Sequence, residues 1–422
     1  MTTALRATPE TLSRVLLVAL VLMAPVLLLP AAGSWVSLTM PWLALAAAVA
    51  ATLYLPGRRY RVLIPWLIAS IGVAWIGTPW SDPSALRHFG GIAFGMLVMT
   101  TVALACDSED RLQLAVLLFC LGAAGVLVLG VMSTSVASGK LVSIVLSNPL
   151  RLGLPGLGES GLVNTNGLGG TAVMLAPAGF TLMLFPGLDV RHARLLKGVG
   201  GLLAVTALAV LLVSQSRSAW AAALLTLMTL GLRVGSWRVR AYALAAALLG
   251  IAAVTAGVWA SYGDQFQSVV ESTVRSGGHR TELWRAALAQ LQDSPWLGIG
   301  IDQFRQLELP KPTRFVMDAP FWQSPHPHNT FLQVAVDLGP FGVVAYAALI
   351  GVLLRDAARA ARGPRSLPAC VAVGMGLSIV AVHWFGVADA IALGAKVGLF
   401  QWFAAGLVIA AWQLQSRPLP AA

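Results

Sequence analysis

Apolar runs of about 20 residues, separated by short polar or basic segments, recur along the whole chain. At 1.5 Å per residue a helix needs about this length to cross the hydrocarbon of a bilayer, and it satisfies its own backbone there. The pattern predicts spans near 14–31, 35–55, 62–78, 89–106, 112–132, 166–186, 195–214, 217–232, 241–261, 329–354, 367–386 and 389–413. The expected fold is therefore all-α, a transmembrane bundle of about 12 helices forming a single domain over 1–422. No segment shows the alternating period of a membrane barrel strand. Val15 to Leu29 followed by Ala31-Ala32-Gly33 has the outline of a signal peptide; in a polytopic chain it reads as the first span.

Two polar segments are too long to be mere connections, 133–165, rich in Gly, Ser and Pro, and the larger 262–327. The second carries a helical pattern over 280–292, with Leu283, Ala287 and Leu291 on one face. A Ser294-Pro295 break follows, and then Gly298 and Gly300, which read as a turn.

Composition supports a membrane protein. The chain is 57% hydrophobic and only 11% charged, against roughly 25% charged in soluble domains. Its net charge of +11 invites a nucleic-acid reading. Most of the basic residues, however, fall in short alternate connections such as 56–61, 187–197, 232–240 and 355–365. By the positive-inside rule these face the cytoplasm, with both termini, and the two long polar segments face outward. The charge is then a topological signal, and no nucleic-acid partner is expected. Cys106, Cys120 and Cys370 all sit in apolar runs, with no disulfide or metal spacing.

Some polar residues are out of place in such a chain. Arg217 stands in Ser214-Gln-Ser-Arg-Ser-Ala-Trp220, between two apolar runs with almost no loop. It is either an interfacial arginine reaching for headgroups or an anion site, with Ser214, Ser216 and Ser218 as further donors. His326-Pro-His-Asn329 ends the large outer segment and opens a span, and Pro327 suits a first helical turn. His328 near that helix start is favoured as a neutral imidazole, the form a general base requires; the alternatives are a solvated pair or a metal pair lacking a third nearby ligand. Asp337 lies too deep in the following span for a casual carboxylate, and Asn329 and Gln333 share a polar face with i,i+4 spacing. Arg280 is placed where the outer helix begins, and Arg87 and His88 lie in another outer segment. Asp389 and Lys396 either pair structurally or line a cavity. The chain has no Gly-x4-Gly-Lys-Ser/Thr loop and no Asp-x-Asp pair. An anionic leaving group would therefore be met by arginines rather than a divalent ion.

His328-Asn329 followed by Gly339-x-x-Gly342 resembles the signature of the bacterial O-antigen ligase family. The run Arg280, Trp284, Ala287, Pro295, Gly298-x-Gly300 and Phe304 is similar to the loop of the wider ligase and polymerase superfamily, and Ser216-Arg217-Ser-Ala resembles its arginine segment. The resemblance implies a GT-C-like glycosyltransferase of the bacterial inner membrane with a periplasmic active site, no metal and no cofactor. It would transfer a glycan from undecaprenyl diphosphate to a sugar hydroxyl of lipid A–core, among membrane lipids, with inversion. It further implies His328 as the catalytic group, Arg217, Arg280 and Arg87 as diphosphate contacts, and His326, Asn329 and Asp389 in supporting roles. An O-antigen polymerase, a protein O-oligosaccharyltransferase and a lipid-linked oligosaccharide flippase are the competing readings.

Overall fold

The computed structural model describes residues 35–55, 57–79, 82–133, 164–186, 188, 192–234, 266–307, 309–310, 321–322 and 326–416. The expected spans 14–31 and 241–261 and nearly all of segment 133–165 lie outside the described residues. The helices, in order, are α1 (Trp35–Thr52), α2 (Arg58–Ile76), α3 (Pro83–Ala105), α4 (Glu109–Met132), α5 (Thr165–Leu184), α6 (Ala193–Ser214), α7 (Arg217–Val234), α8 (Phe266–Asp293), α9 (Thr330–Ala360), α10 (Leu367–Ala388) and α11 (Leu399–Gln415). A minimal antiparallel pair, β1 (Leu309–Pro310) with β2 (Phe321–Trp322), completes the described elements together with two short 3₁₀ turns. Among the described residues, eight helices are long and apolar enough to cross a membrane: α2 to α6 and α9 to α11, the last counted from Lys396.

Helix boundaries follow local chemistry. Asp82 caps α3 by accepting from Ser84 N at 2.8 Å, with Pro83 at the first helical position. Ser108, Asn164 and Ser366 cap α4, α5 and α10 in the same way. Two expected boundaries are corrected. The last span, predicted from 389, begins as a helix only at Leu399, because Asp389 closes α10 and the chain then runs irregularly to a 3₁₀ turn at Lys396–Gly398. The outer helix predicted over 280–292 is longer and extends over the whole of α8.

Small residues let the helices approach closely, as in membrane bundles generally. Trp402 of α11 is fully buried against Gly95 of α3, where any side chain would collide with the indole, and its Nε1 donates to Leu393 O at 3.1 Å. At one end of the bundle the buried Asp356 of α9 accepts from Arg59 Nη2 at 2.9 and 3.1 Å and from the Tyr60 hydroxyl at 2.7 Å. Arg59 also lies 5.0 Å over the Trp412 ring, so α2, α9 and α11 are tied together there.

At the opposite end α9 is broken. Gly339 has φ 69° and ψ −179°, a conformation essentially restricted to glycine, and Pro340 follows. Pro340 has no N–H to give to Val336 O four residues back. Ile299 N donates to that oxygen instead, at 2.7 Å. The Gly298 turn (φ 71°) lies directly on the same carbonyl, and Ser294 Oγ closes the turn on Gly298 O at 2.6 Å. The polar segment after α8 is therefore docked into the kink of α9, which also explains why Asp337 is tolerated: it precedes the break. The expected face of α8 is confirmed, with Leu283 and Ala287 fully buried against Phe304 and Val336.

Gly339→Ala should therefore cost about 1–3 kcal/mol from backbone strain alone, with a further clash against the Trp296 carbonyl. Gly351→Ala, where a Cβ meets nothing, should cost nothing. Thermal unfolding of the two detergent-solubilised variants tests this; equal melting temperatures would contradict it.

Candidate active site

Asn329 fixes the geometry. It is the N-cap of α9, with Oδ1 accepting from Phe331 N at 2.9 Å and Leu332 N at 3.0 Å. Its Nδ2 donates across to Val387 O of α10 at 2.9 Å. The start of α9 is thereby fastened to the end of α10, and the residues just outside each helix, His328 and Asp389, face each other. The expectation that Pro327 occupies the first helical turn is corrected, since the cap is Asn329 and His328 stands outside the helix with φ 52°.

Asp389 is 3% exposed. Its Oδ1 lies 2.8 Å from His328 Nδ1 and accepts from Ala390 N at 2.9 Å, while its Oδ2 lies 3.5 Å from Arg280 Nη2. Burial alone would raise its pKa, but the hydrogen bond from His328 outweighs that and holds the carboxyl below its ordinary value. An ionised carboxylate only accepts, so His328 Nδ1 must be the donor. Neutral His328 then carries its lone pair on Nε2, the arrangement of an oriented general base.

The His326 ring lies 4.4 Å from that of His328, and its Nδ1 accepts from His328 N at 3.2 Å. Burial, aided by the charge of His328, lowers the His326 pKa to about 4. His326 is thus neutral at ordinary pH, with its proton on Nε2. His326, His328 and Asp389 each offer a donor atom, and the three atoms lie within 4.8 Å of one another, a set able to hold a metal ion. Asp389 does not pair with Lys396, one of the two arrangements expected for them; its partners are His328 and Arg280.

Arg280 comes from the middle of α8, not from its beginning, and Arg217 from the first residue of α7. The two guanidiniums are close enough to act on each other's charge. Arg217 is presented by a tight turn between α6 and α7, with Gln215 left-handed at φ 48° and Trp220 Nε1 stapling back to Leu211 O at 2.9 Å. The hydroxyls of Ser214 and Ser216, expected as anion donors, are turned inward instead. Ser214 Oγ donates to Leu211 O, and Ser216 Oγ accepts from Ala219 N, capping α7. Arg217 itself is exposed.

A second acid–imidazole group, unassigned from sequence, adjoins the first. Asp302, left-handed at φ 60° and 2% exposed, lies 3.2 Å from His88 Nδ1 and 2.9 Å from Arg305 Nε, and accepts from the Ser84 hydroxyl. Burial favours its neutral form, yet the hydrogen bond and charge of His88, with Arg305, keep it below the ordinary carboxylate range. Asp302 N donates to Asp337 Oδ1 at 3.2 Å, and Gln333 Nε2 to Asp337 Oδ2 at 2.8 Å. The one signal of this group in sequence is an acid two residues after Gly298-x-Gly300. All non-glycine residues with left-handed backbone among those described, Gln215, Asp302 and His328, lie at this end of the bundle, as strained residues at functional sites do. Arg87 is not joined to these groups; its charged neighbour is Lys396.

The neutral His326 has a consequence for pH dependence. The unfolded chain takes up a proton near the ordinary value of 6.5, whereas the folded site refuses it until about 4. Stability should thus fall as pH drops through that window. In His326→Asn, which keeps an acceptor but cannot titrate, the fall should be shallower. Melting temperatures measured from pH 7 to 4 test this; identical slopes would contradict it.

No curated protein matches the chain. Residues 202–347 match the family model described as O-antigen ligase. The matched segment holds Arg217, Arg280, His326, His328 and Asn329, while Asp389 and Arg87 fall outside it. Over that segment the chain is similar to the O-antigen ligase family.

Proposed function

We propose that the protein is an O-antigen ligase that moves a glycan from undecaprenyl diphosphate to a sugar hydroxyl of lipid A–core. It would do so at the periplasmic face of the bacterial inner membrane. The observation that carries this reading is the 2.8 Å contact between Asp389 Oδ1 and His328 Nδ1, at a carboxylate that also meets Arg280, which in turn neighbours Arg217. His328 lies within the family match, and with Asp389, which lies beyond it, gives the chemistry its base. His328 takes the proton of the acceptor hydroxyl as that oxygen attacks the anomeric carbon. Asp389 sets the tautomer and stabilises the imidazolium that forms. Arg280 and Arg217 hold the diphosphate and meet the charge that develops on the departing oxygen.

One bond forms, from acceptor oxygen to anomeric carbon, as the bond from that carbon to the diphosphate oxygen breaks. A single displacement of this kind inverts the configuration. The 2.8 Å contact between His328 Nδ1 and Asp389 Oδ1 has the length of a hydrogen bond and supports proton transfer without a metal. Arg280 links the two halves of the site, since it touches Asp389 and neighbours Arg217.

The test is incubation of purified protein with undecaprenyl-diphosphate glycan and rough lipopolysaccharide, without divalent metal. Ligated product is expected from the wild type, and a loss of about 10²–10⁴-fold from His328→Ala at equal expression. Full activity in that variant would remove the base assignment, and activity abolished by a chelator would restore the metal reading of His326, His328 and Asp389. Extension of the donor glycan with the lipopolysaccharide left unmodified would identify a polymerase instead. Arg217→Lys should lose most activity although its charge is kept, because the two-pronged contact with phosphate oxygens is gone; wild-type rates would argue against Arg217 as a diphosphate contact.

A further inference from the structure

The first turns of α3 and the irregular stretch after α10 press backbone against backbone. A side chain on Gly91 would run into the Gly394 carbonyl, and one on Gly394 into the His88 carbonyl. Glycine at both positions permits this approach, and it sets Arg87 of α3 beside Lys396 of the 3₁₀ turn. Arg87 is exposed and Lys396 half-buried. Arg87 is the charge that acts on Lys396, and neither residue has a hydrogen bond or ion pair among the described residues. The nearby carboxylates are already engaged, Asp302 by His88 and Arg305 and Asp389 by His328 and Arg280.

Two cations held together at a partly dry place repel, and the arrangement is stabilised when an anion lies between them. Lys396 is the first residue of the last candidate membrane span and Arg87 sits just inside the start of α3. On the topology expected from the sequence, both would stand near the depth of lipid phosphates. Asp389 and Lys396 bracket the same short stretch. Even if fully extended, it would place Lys396 no more than about 25 Å from the carboxylate that orients the base.

We propose that Arg87 and Lys396 form a second anion site, which takes a phosphate carried by the acceptor lipid and holds the acceptor while His328 acts on it. This rests on the ligase reading, in which Arg217 and Arg280 are committed to the donor diphosphate. It assigns Arg87 to the acceptor, not to the donor.

The experiment is binding without turnover. Full-length protein in phosphatidylcholine nanodiscs would be titrated with fluorescent rough lipopolysaccharide and with the same material after phosphatase treatment, in the absence of donor. The wild type should bind the phosphorylated form about tenfold more tightly, as expected for charge-assisted contacts. Arg87→Gln combined with Lys396→Gln should bind both forms alike, and Lys396→Arg should retain the preference. Binding of undecaprenyl diphosphate should be unchanged in the double variant. An undiminished preference in the double variant would overturn the proposal. So would a difference between wild type and variant that appears only when phosphatidylglycerol is added, which would make this a bulk headgroup site. Product formed on adding donor, with no phosphate preference, would remove the acceptor site and leave the ligase reading standing. A preference with no product would do the reverse.

Discussion

A carboxylate buried at the end of a helix bundle must be met by donors, and Asp389 draws them from segments far apart in the chain. One is the imidazole just ahead of α9, another the guanidinium in the middle of α8, and a third the amide of the next residue. These bonds keep the carboxyl ionised in spite of its burial. They also decide which nitrogen of His328 carries the proton in its neutral form. An uncompensated charge at this position would cost several kcal/mol, so the arrangement of α8, α9 and α10 at this end is bound up with satisfying one side chain. Structure and proposed chemistry thus share a single interaction.

The kink in α9 is the second constraint. Without an N–H on Pro340, Val336 O needs a donor, and Ile299 N supplies it from the segment that follows α8. That bond and the facing turns at Gly298 and Gly339 dock the segment in place. Docking brings Asp302 to His88 and Arg305, and fixes Ile301 N on Thr78 Oγ1 at 2.9 Å. The loop that accompanies the site is therefore built into the bundle through backbone groups. The opposite end uses a different device, in which the buried Asp356 gathers Arg59 and Tyr60. With both ends tied, the helices between them can pack on small residues.

Much of this was legible in sequence because hydrophobic periodicity and motif order are local signals. The helices matched most expected spans, the buried face of α8 was read correctly from Leu283 and Ala287, and Arg280, His328 and Asp389, each singled out in the sequence, are brought into contact with Arg217 nearby. What was not legible was long-range or depended on backbone shape. Asp389 looked like a residue of the last span because the apolar run continues through 390–395, and nothing local says that the chain is irregular there. Asp302 and His88 meet across a separation of about half the chain's length. Ser214 and Ser216 have the composition of an anion site, but the turn between α6 and α7 uses them as its own caps. The kink at Gly339 and the partner that fills it both emerge only from the structure.

The central claim is that ionised Asp389 holds His328 as an oriented base. It is tested most directly by the turnover rate of Asp389→Asn in the ligation assay, since the amide preserves size and removes the charge. The account predicts a kcat lower by about 10²–10⁴-fold, with the melting temperature near that of the wild type. Transfer at the wild-type rate by a correctly folded variant would contradict it.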